Sequence, residues 1–314
     1  MIAMLDKFFY RFANPHGAAL FRILFCATLL LNLVMRIPFT ELYYTELSGV
    51  PVEGATKILP LFHQPLLEWY PRSLAQAYMM EGLQAIALVW LLIGACGPVA
   101  SRLLALLALL THVGLMQRNI SIVYGADIVS TFWLFGLCLM DTTEVWSWRA
   151  YKRKKQTGAR SDVWIEPVWS RTLTSAGLRI SQIQLSLIYG YTGFEKLKGG
   201  DWWDQTAIWK VLGNEQLMTS DLSFLKSVPL VIGIATWGTV LFEVYAPVLF
   251  WPKATRRLVI FLGLALHLGI AATMGLFVFS LTMVSGYLLF LELDDLKAIQ
   301  HSIARRFGVK RFVS

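Results

Sequence analysis

Lys196 closes a polar stripe on an otherwise apolar segment, just before the stretch ends in KLKGGDWW. A lysine acts as a base only as the neutral amine, and burial in a low-dielectric cavity favours that form. Gln182, Ser186, Tyr189, Gly193 and Lys196 recur at helical spacing, while the other faces carry Ile, Leu and Phe. Such a stripe faces protein or a cavity, not lipid. Gly263, His267, Ala271 and Met274 form a matching stripe, where small residues let another helix or a flat ring approach an imidazole. Glu81 with Gln84, His112, Asp127 with Ser130 and Thr131, and Glu243 after Thr236 and Thr239 also fall in apolar runs. A charge at the centre of a membrane span costs about 2.5–3.5 kcal/mol on insertion scales, so these groups should turn inward. Plainer roles fit each residue as well. Lys196 and Lys198 suit snorkelling to headgroups, His267 suits an interhelical hydrogen bond, the carboxylates suit structural pairing, and Trp202 and Trp203 suit an aromatic belt. Together they point to a polar site opening on one side of a helical bundle. No metal site is expected: the histidines are scattered, and Cys26, Cys96 and Cys138 sit in apolar runs without chelating spacing.

The elements that must hold these residues are membrane helices. Hydrophobic residues make up 56% of the 314-residue chain and charged residues 15%, against about 25% charged in an ordinary soluble domain. Apolar windows predict eight spans, at 17–36, 74–96, 100–117, 124–141, 177–196, 228–250, 257–274 and 276–293. The fold class is therefore an all-α integral membrane protein, one domain over 1–314. It comprises an interfacial helix at 1–16, a bundle at 17–293 and an amphipathic basic tail at 294–314. The opening run reads as a span, not a cleavable signal. Most Lys and Arg fall on one side of this topology, which places both termini in the cytoplasm. The net charge of +8 then serves topology and contact with anionic lipids, with no nucleic-acid face. In the tail, Leu296, Ile299, Ile303 and Phe307 recur at 3–4 spacing opposite basic residues, as in a helix lying on a membrane surface. The segments 37–73 and 197–227 are long enough to fold over the outer mouth.

Four blocks carry a family resemblance. GYTGFEKLKGGDWWDQTAI resembles the lysine segment of the vitamin K-dependent γ-glutamyl carboxylases and of the wider bacterial HTTM-domain family. YGADIVSTFWLFGLCLMDTTEVWSW is similar to a family block in which Tyr-Gly opens a span and Met-Asp and Trp-Ser follow. LALHLGIAATMGLFVFS resembles the late Leu-His block, and PHGAALFRILFCATLLL the first span with its Arg. The blocks run in order through nearly the whole chain. One departure stands out: the carboxylases carry a His after an Asn before the Tyr-Gly block, whereas Ile120 follows Asn119 here. The eukaryotic enzymes also have a large luminal C-terminal region that holds the substrate's propeptide, and no such docking is expected of this chain.

The resemblance implies catalytic roles for Lys196 and His267. Lys196 matches the lysine that acts as base toward vitamin K hydroquinone, and His267 matches the histidine beside that site. It implies a reduced quinone of vitamin K hydroquinone or menaquinol type as cofactor, with O2 and CO2 as co-substrates, and an activity of the lyase or oxygenase class. Tyr189, Gly193, Trp202, Trp203, Glu81, Asp127 and Glu243 would line the substrate cavity, with the tryptophans over its outer mouth. A dry, water-excluding site suits such chemistry, and His267 would hydrogen-bond or stabilise developing charge. Expected partners are the bilayer, anionic lipids and a peptide substrate on the outer side. The expected location is a bacterial inner or cell membrane. The family also includes a protein required for maturing a secreted peptide toxin, so a non-catalytic partner in peptide maturation or export is the alternative. A transporter fits less well, since no inverted repeat is present.

Overall fold

The computed structural model describes residues 6, 8–10, 15–50, 69–157, 167–214, 219 and 221–307, with the side chains of 302–307 excepted. The expected interfacial helix at 1–16 lies mostly outside them, as do the middle of the 37–73 segment and the tail side chains Ile303 and Phe307. The described residues are all-helical, without strands. Helices of eleven residues or more are numbered α1 (Pro15–Arg36), α2 (Leu74–Ile93), α3 (Pro98–Arg118), α4 (Gly125–Leu139), α5 (Val168–Lys198), α6 (Pro229–Leu249), α7 (Lys253–Met274), α8 (Phe277–Tyr287) and α9 (Leu293–Phe307).

A helix stands at each of the eight positions predicted for spans, but they are not equally suited to crossing a membrane. Five segments among the described residues are long and apolar enough: Pro15–Tyr44, α2, α3, α6 and α7. α4 is apolar but short, with 15 residues, about 22 Å at 1.5 Å per residue against a hydrocarbon core of about 30 Å. α5 is long, with 31 residues, yet its polar stripe makes it too hydrophilic to meet the same standard. The last predicted span, 276–293, breaks early. α8 gives way to a 3₁₀ turn at Leu288–Phe290, and the chain turns by 110° into α9. Asp295 explains the new start: its carboxylate accepts the Glu292 backbone N–H at 3.0 Å, an N-terminal cap, and pairs with Arg257 at 2.7 Å. Leu296 of the expected tail stripe is buried, whereas Ile299 is exposed.

The chain divides into two compact units, Met1–Ser181 and Gln182–Ser314, with the boundary inside α5. In the first unit, buried arginines tie helix ends together. Arg22, within α1, donates to the carbonyls of Leu91 and Leu92 at 2.6 and 2.8 Å and of Trp146 at 2.7 Å. Those α2 carbonyls have no intrahelical donor, so the guanidinium completes them. Gly94 ends α2 at φ +65, and a Cβ there would stand 2.6 Å from Arg22 Nη1. Glycine is thus required twice over. Arg102 of α3 reaches the Leu139 carbonyl at 3.0 Å, and Ser170 and Thr174 at the start of α5. Between α4 and Trp148, Asp141 accepts from Thr143 N–H and hydroxyl at 2.9 and 2.7 Å and pairs with Arg149. The core includes Phe21, Phe25 and Trp133, with Phe21 stacked on Phe25 and edge-on to Trp133. In the second unit the core is aromatic: Phe250 stacks on Phe290 at 4.9 Å and packs against Tyr287.

Candidate functional site

The second unit gathers the polar residues of the two stripes. Lys196 Nζ lies 2.6 Å from Glu243 Oε2 on α6, and 5.2 Å from the ring centroid of Trp202. Carboxylate and indole face thus hold the amine from two sides, by charge-assisted hydrogen bond and cation–π attraction. The pair is partly open, with side-chain exposure of 22% for Lys196 and 11% for Glu243. Glu195, next in sequence, turns away and pairs with Lys198 at 2.6 Å. Lys198 is exposed, and its hydrogen bond to Glu195 raises it above the ordinary lysine range.

Gly193 lets α5 and α6 meet at this level. A Cβ on it would stand 2.9 Å from the backbone of Glu243 and Val244. Pro247 lies inside α6 and has no N–H for the Glu243 carbonyl four residues back. The Glu243 carbonyl, at the residue that holds Lys196, therefore lacks its intrahelical donor.

One turn further along α5, Tyr189 begins a buried hydrogen-bond chain. Its hydroxyl lies 2.8 Å from His267 Nε2 and also bonds the Tyr287 hydroxyl. The small-residue stripe of α7 makes the room: a Cβ on Gly263 would meet the Tyr287 hydroxyl at 2.6 Å. His267 is 2% exposed, and its Nδ1 is buried without a partner. A neutral imidazole carries one N–H and one bare nitrogen. If Tyr189 donates to Nε2, Nδ1 bears a proton with no acceptor. If Nε2 donates to Tyr189, Nδ1 is a bare acceptor. Either way Nδ1 is the open valence of the chain.

Beside these groups, α6, α7 and the short helix Ala207–Leu212 line an apolar groove of about 820 Å³. Along α6 it runs from Ile234 to Leu249, about 22 Å at 1.5 Å per residue. Its rim residues Ile234, Leu241, Tyr245 and Leu262 are exposed. Phe242 stands in its wall and meets Tyr189 edge-on at 5.3 Å, so one ring separates groove from hydrogen-bond chain.

A family model described as the HTTM domain matches residues 10–294. The chain belongs to the HTTM-domain family. HTTM is the domain associated with the vitamin K-dependent carboxylases. A Bacillus subtilis relative described as the uncharacterized protein YitO is 26% identical over 201 residues. That match covers 61% of this chain and 60% of the relative, so the chain spans less than two thirds of the relative's length. No solved structure matches.

Within this HTTM domain, the candidate residues separate by unit. Lys196, Glu243, Tyr189, Gly193, His267 and Trp202 come together in the second. Trp203 follows Trp202 but is more than half exposed, donating to the Leu197 carbonyl at 2.8 Å and packing against Trp237. Glu81 and Asp127 belong to the first unit. Asp127 pairs with Arg36 at 2.8 Å and accepts the Tyr124 backbone N–H at the start of α4. The Glu81 carboxyl is bonded by the Thr40 hydroxyl, 2.8 and 2.9 Å from its two oxygens. His112 lies between the Gln84 amide and the Asp127 carbonyl, at 3.3 and 3.1 Å. Among the described residues, no three His, Cys, Asp or Glu side chains come together as metal ligands would. The sequence reading missed Tyr287 and Phe242. A tyrosine inside SGYLLF was a signal, since a buried phenol needs a partner. Phe242 looks like any other apolar residue.

Proposed function

We propose that this HTTM protein is a membrane enzyme of carboxylase-like type. The reading has Lys196 remove a proton from a lipid-soluble hydroquinone, in support of modifying a peptide or small molecule on the outer side. The observation that carries it is the Lys196–Glu243 pair at 2.6 Å over Trp202, two helical turns along α5 from the buried Tyr189–His267–Tyr287 chain. Two features fit a ring compound with polar oxygens and a long apolar tail. His267 Nδ1 offers an unused hydrogen-bonding atom, and the apolar groove lined by Phe242 is long enough for a hydrocarbon chain. Such a hydroquinone would supply the oxidisable group, with O2 and CO2 as co-substrates.

The protein's own part is proton handling. In the open site the pair is ammonium and carboxylate, each still touched by solvent. A substrate that covers the pair removes that water, and isolated charges in a dry site are costly. Transfer of the Lys196 proton to Glu243 leaves a neutral amine and a neutral acid. The amine then accepts the substrate's proton, and Trp202 faces the new cation. His267, held by Tyr189, donates to or accepts from the substrate oxygen through Nδ1. In this reading the eight helices α1–α8 lie in a bacterial inner or cell membrane, with both termini cytoplasmic. Lys196 is then on the outer side, the basic loops meet anionic lipid, and α9 rests at the inner interface.

A second reading follows from the same pair. An ion pair already closed at 2.6 Å also serves as a fixed latch between α5 and α6 in a non-catalytic partner for peptide maturation or export. Oxygen uptake by the purified protein in lipid nanodiscs, supplied with reduced menaquinone or vitamin K hydroquinone, separates the two. The enzyme reading expects uptake in wild type and background in Lys196→Ala. Background uptake in both, with the fold intact, would leave the partner reading in front.

A further inference from the structure

Arg118 ends α3 in the first unit and is completely buried. Its guanidinium has five N–H donors and no acceptor. Nη1 donates to the Val50 carbonyl at 2.9 Å. Nε and Nη2 are buried and have no partner, and no carboxylate pairs with this arginine among the described residues. Two other buried arginines of the same unit are closed differently. Arg22 places both terminal nitrogens on carbonyls and leaves only Nε unpartnered, and Arg102 uses Nε and both terminal nitrogens.

The imbalance is large. Taking an ion out of water is costly even after relaxation. A cation at a helix C-terminus recovers only part of that cost, and one neutral carbonyl adds a single hydrogen bond. The unused atoms also have a shape. Nε–H and the neighbouring Nη2–H point in parallel from one edge of the planar fork, the edge that binds two oxygens of a single carboxylate or phosphate. Nη1, the nitrogen already engaged, lies outside that edge.

We propose that Arg118 anchors an oxyanion site in the first unit, in which its free Nε–Nη2 edge takes two oxygens of a carboxylate or phosphate. This site is independent of Lys196 and of the proposed hydroquinone chemistry. The oxyanion is either a soluble anion or the phosphate of a lipid headgroup.

The test follows the melting temperature of the protein in zwitterionic nanodiscs in chloride buffer at constant ionic strength. Sodium acetate and inorganic phosphate are titrated in, and parallel nanodiscs carry increasing phosphatidylglycerol. A saturable rise in wild type that is absent in Arg118→Gln is the expected result. A rise with acetate or phosphate in plain discs identifies a soluble anion, and a rise only with the anionic lipid identifies a headgroup. Arg118→Lys keeps the charge without the fork, so its apparent affinity should fall at least about tenfold. That variant decides the matter if Arg118→Gln does not fold: unchanged affinity in it overturns the proposal. So does an equal response in wild type and Arg118→Gln, or no wild-type response to any of the three probes.

Discussion

At the residues that stand out by charge the two units differ: the first closes Asp127, and the second leaves Lys196 partly open. In the first, Asp127 is fully buried, with Arg36, Asn32 and the Tyr124 N–H on its oxygens. Arg102 is shared among carbonyls and hydroxyls of α3, α4 and α5. In the second, the Lys196–Glu243 pair stays partly open, His267 keeps an unused nitrogen and an apolar groove runs alongside. Charge inside an apolar helix therefore does not identify a reactive site. Unspent hydrogen-bonding capacity next to accessible space is the better mark, and it is the ground for proposing the site in the second unit. The first unit has unspent atoms too: two nitrogens of Arg118, Arg22 Nε and Gln117 Oε1 are buried without a partner.

The comparison breaks most readily at Lys196. Arginine there retains the charge and the reach to Glu243 but cannot become neutral. Loss of a positioned acid–base group typically costs about 10²–10⁴-fold in rate. Lys196→Arg should therefore lose hydroquinone-dependent oxygen uptake by that order, with a melting temperature close to wild type. Wild-type uptake in this variant would make the lysine a latch and not a base.

Asp127 is expected to show the reverse pattern. Asp127→Ala strands Arg36 beside a buried site, and breaking a buried pair costs about 3–5 kcal/mol. Chemical or thermal denaturation should show a loss of that size. Any variant that still folds should keep most of its uptake. Full stability combined with lost uptake would move Asp127 into the reaction and erase the contrast between the units.

Gly193 tests the approach of α5 to α6 within the second unit. A methyl group there meets α6 backbone at 2.9 Å, and overpacking of this kind costs about 1–3 kcal/mol. Gly193→Ala should lower stability by that amount and reduce uptake, because separating the helices lengthens the Lys196–Glu243 contact. Stability equal to wild type would show that the helices part freely at this level.

How far the sequence disclosed this arrangement depends on the range of each interaction. The α5 stripe was legible because helical period is local: Tyr189, Gly193 and Lys196 lie within two turns. The same holds for α7, where Gly263 and His267 share a face. The 110° turn after α8 was not legible as a break, because LLFLEL stays apolar while Asp295 starts a new helix through Glu292 and the arginines of α7. Pairing was hidden for another reason. Glu243 is 47 residues from Lys196 and Tyr287 is 98 from Tyr189, and nothing in either stripe names its partner. Glu81 and Asp127 stood out by charge alone, which cannot tell a closed pair from an open one. In the sequence Arg118 is one more basic residue at the end of an apolar run, and only its burial sets it apart.

The smallest effect is expected two residues beyond the site. Lys198 resembles Lys196 in sequence: each is a lysine near the end of α5, and each has a carboxylate at 2.6 Å. What differs is surroundings. Lys198 and Glu195 are both exposed, so water and salt screen the attraction, and ordering two flexible side chains offsets what remains. The raised affinity of Lys198 for its proton reflects that contact and keeps it charged, which suits a surface group and not a base. Lys198→Ala should leave melting temperature and oxygen uptake unchanged within error, at low and high salt alike. If Lys198→Ala abolished uptake while Lys196→Ala did not, the base would be the exposed lysine. Enclosure would then have no part in selecting it, and the polar stripe of α5 would have pointed to the wrong residue.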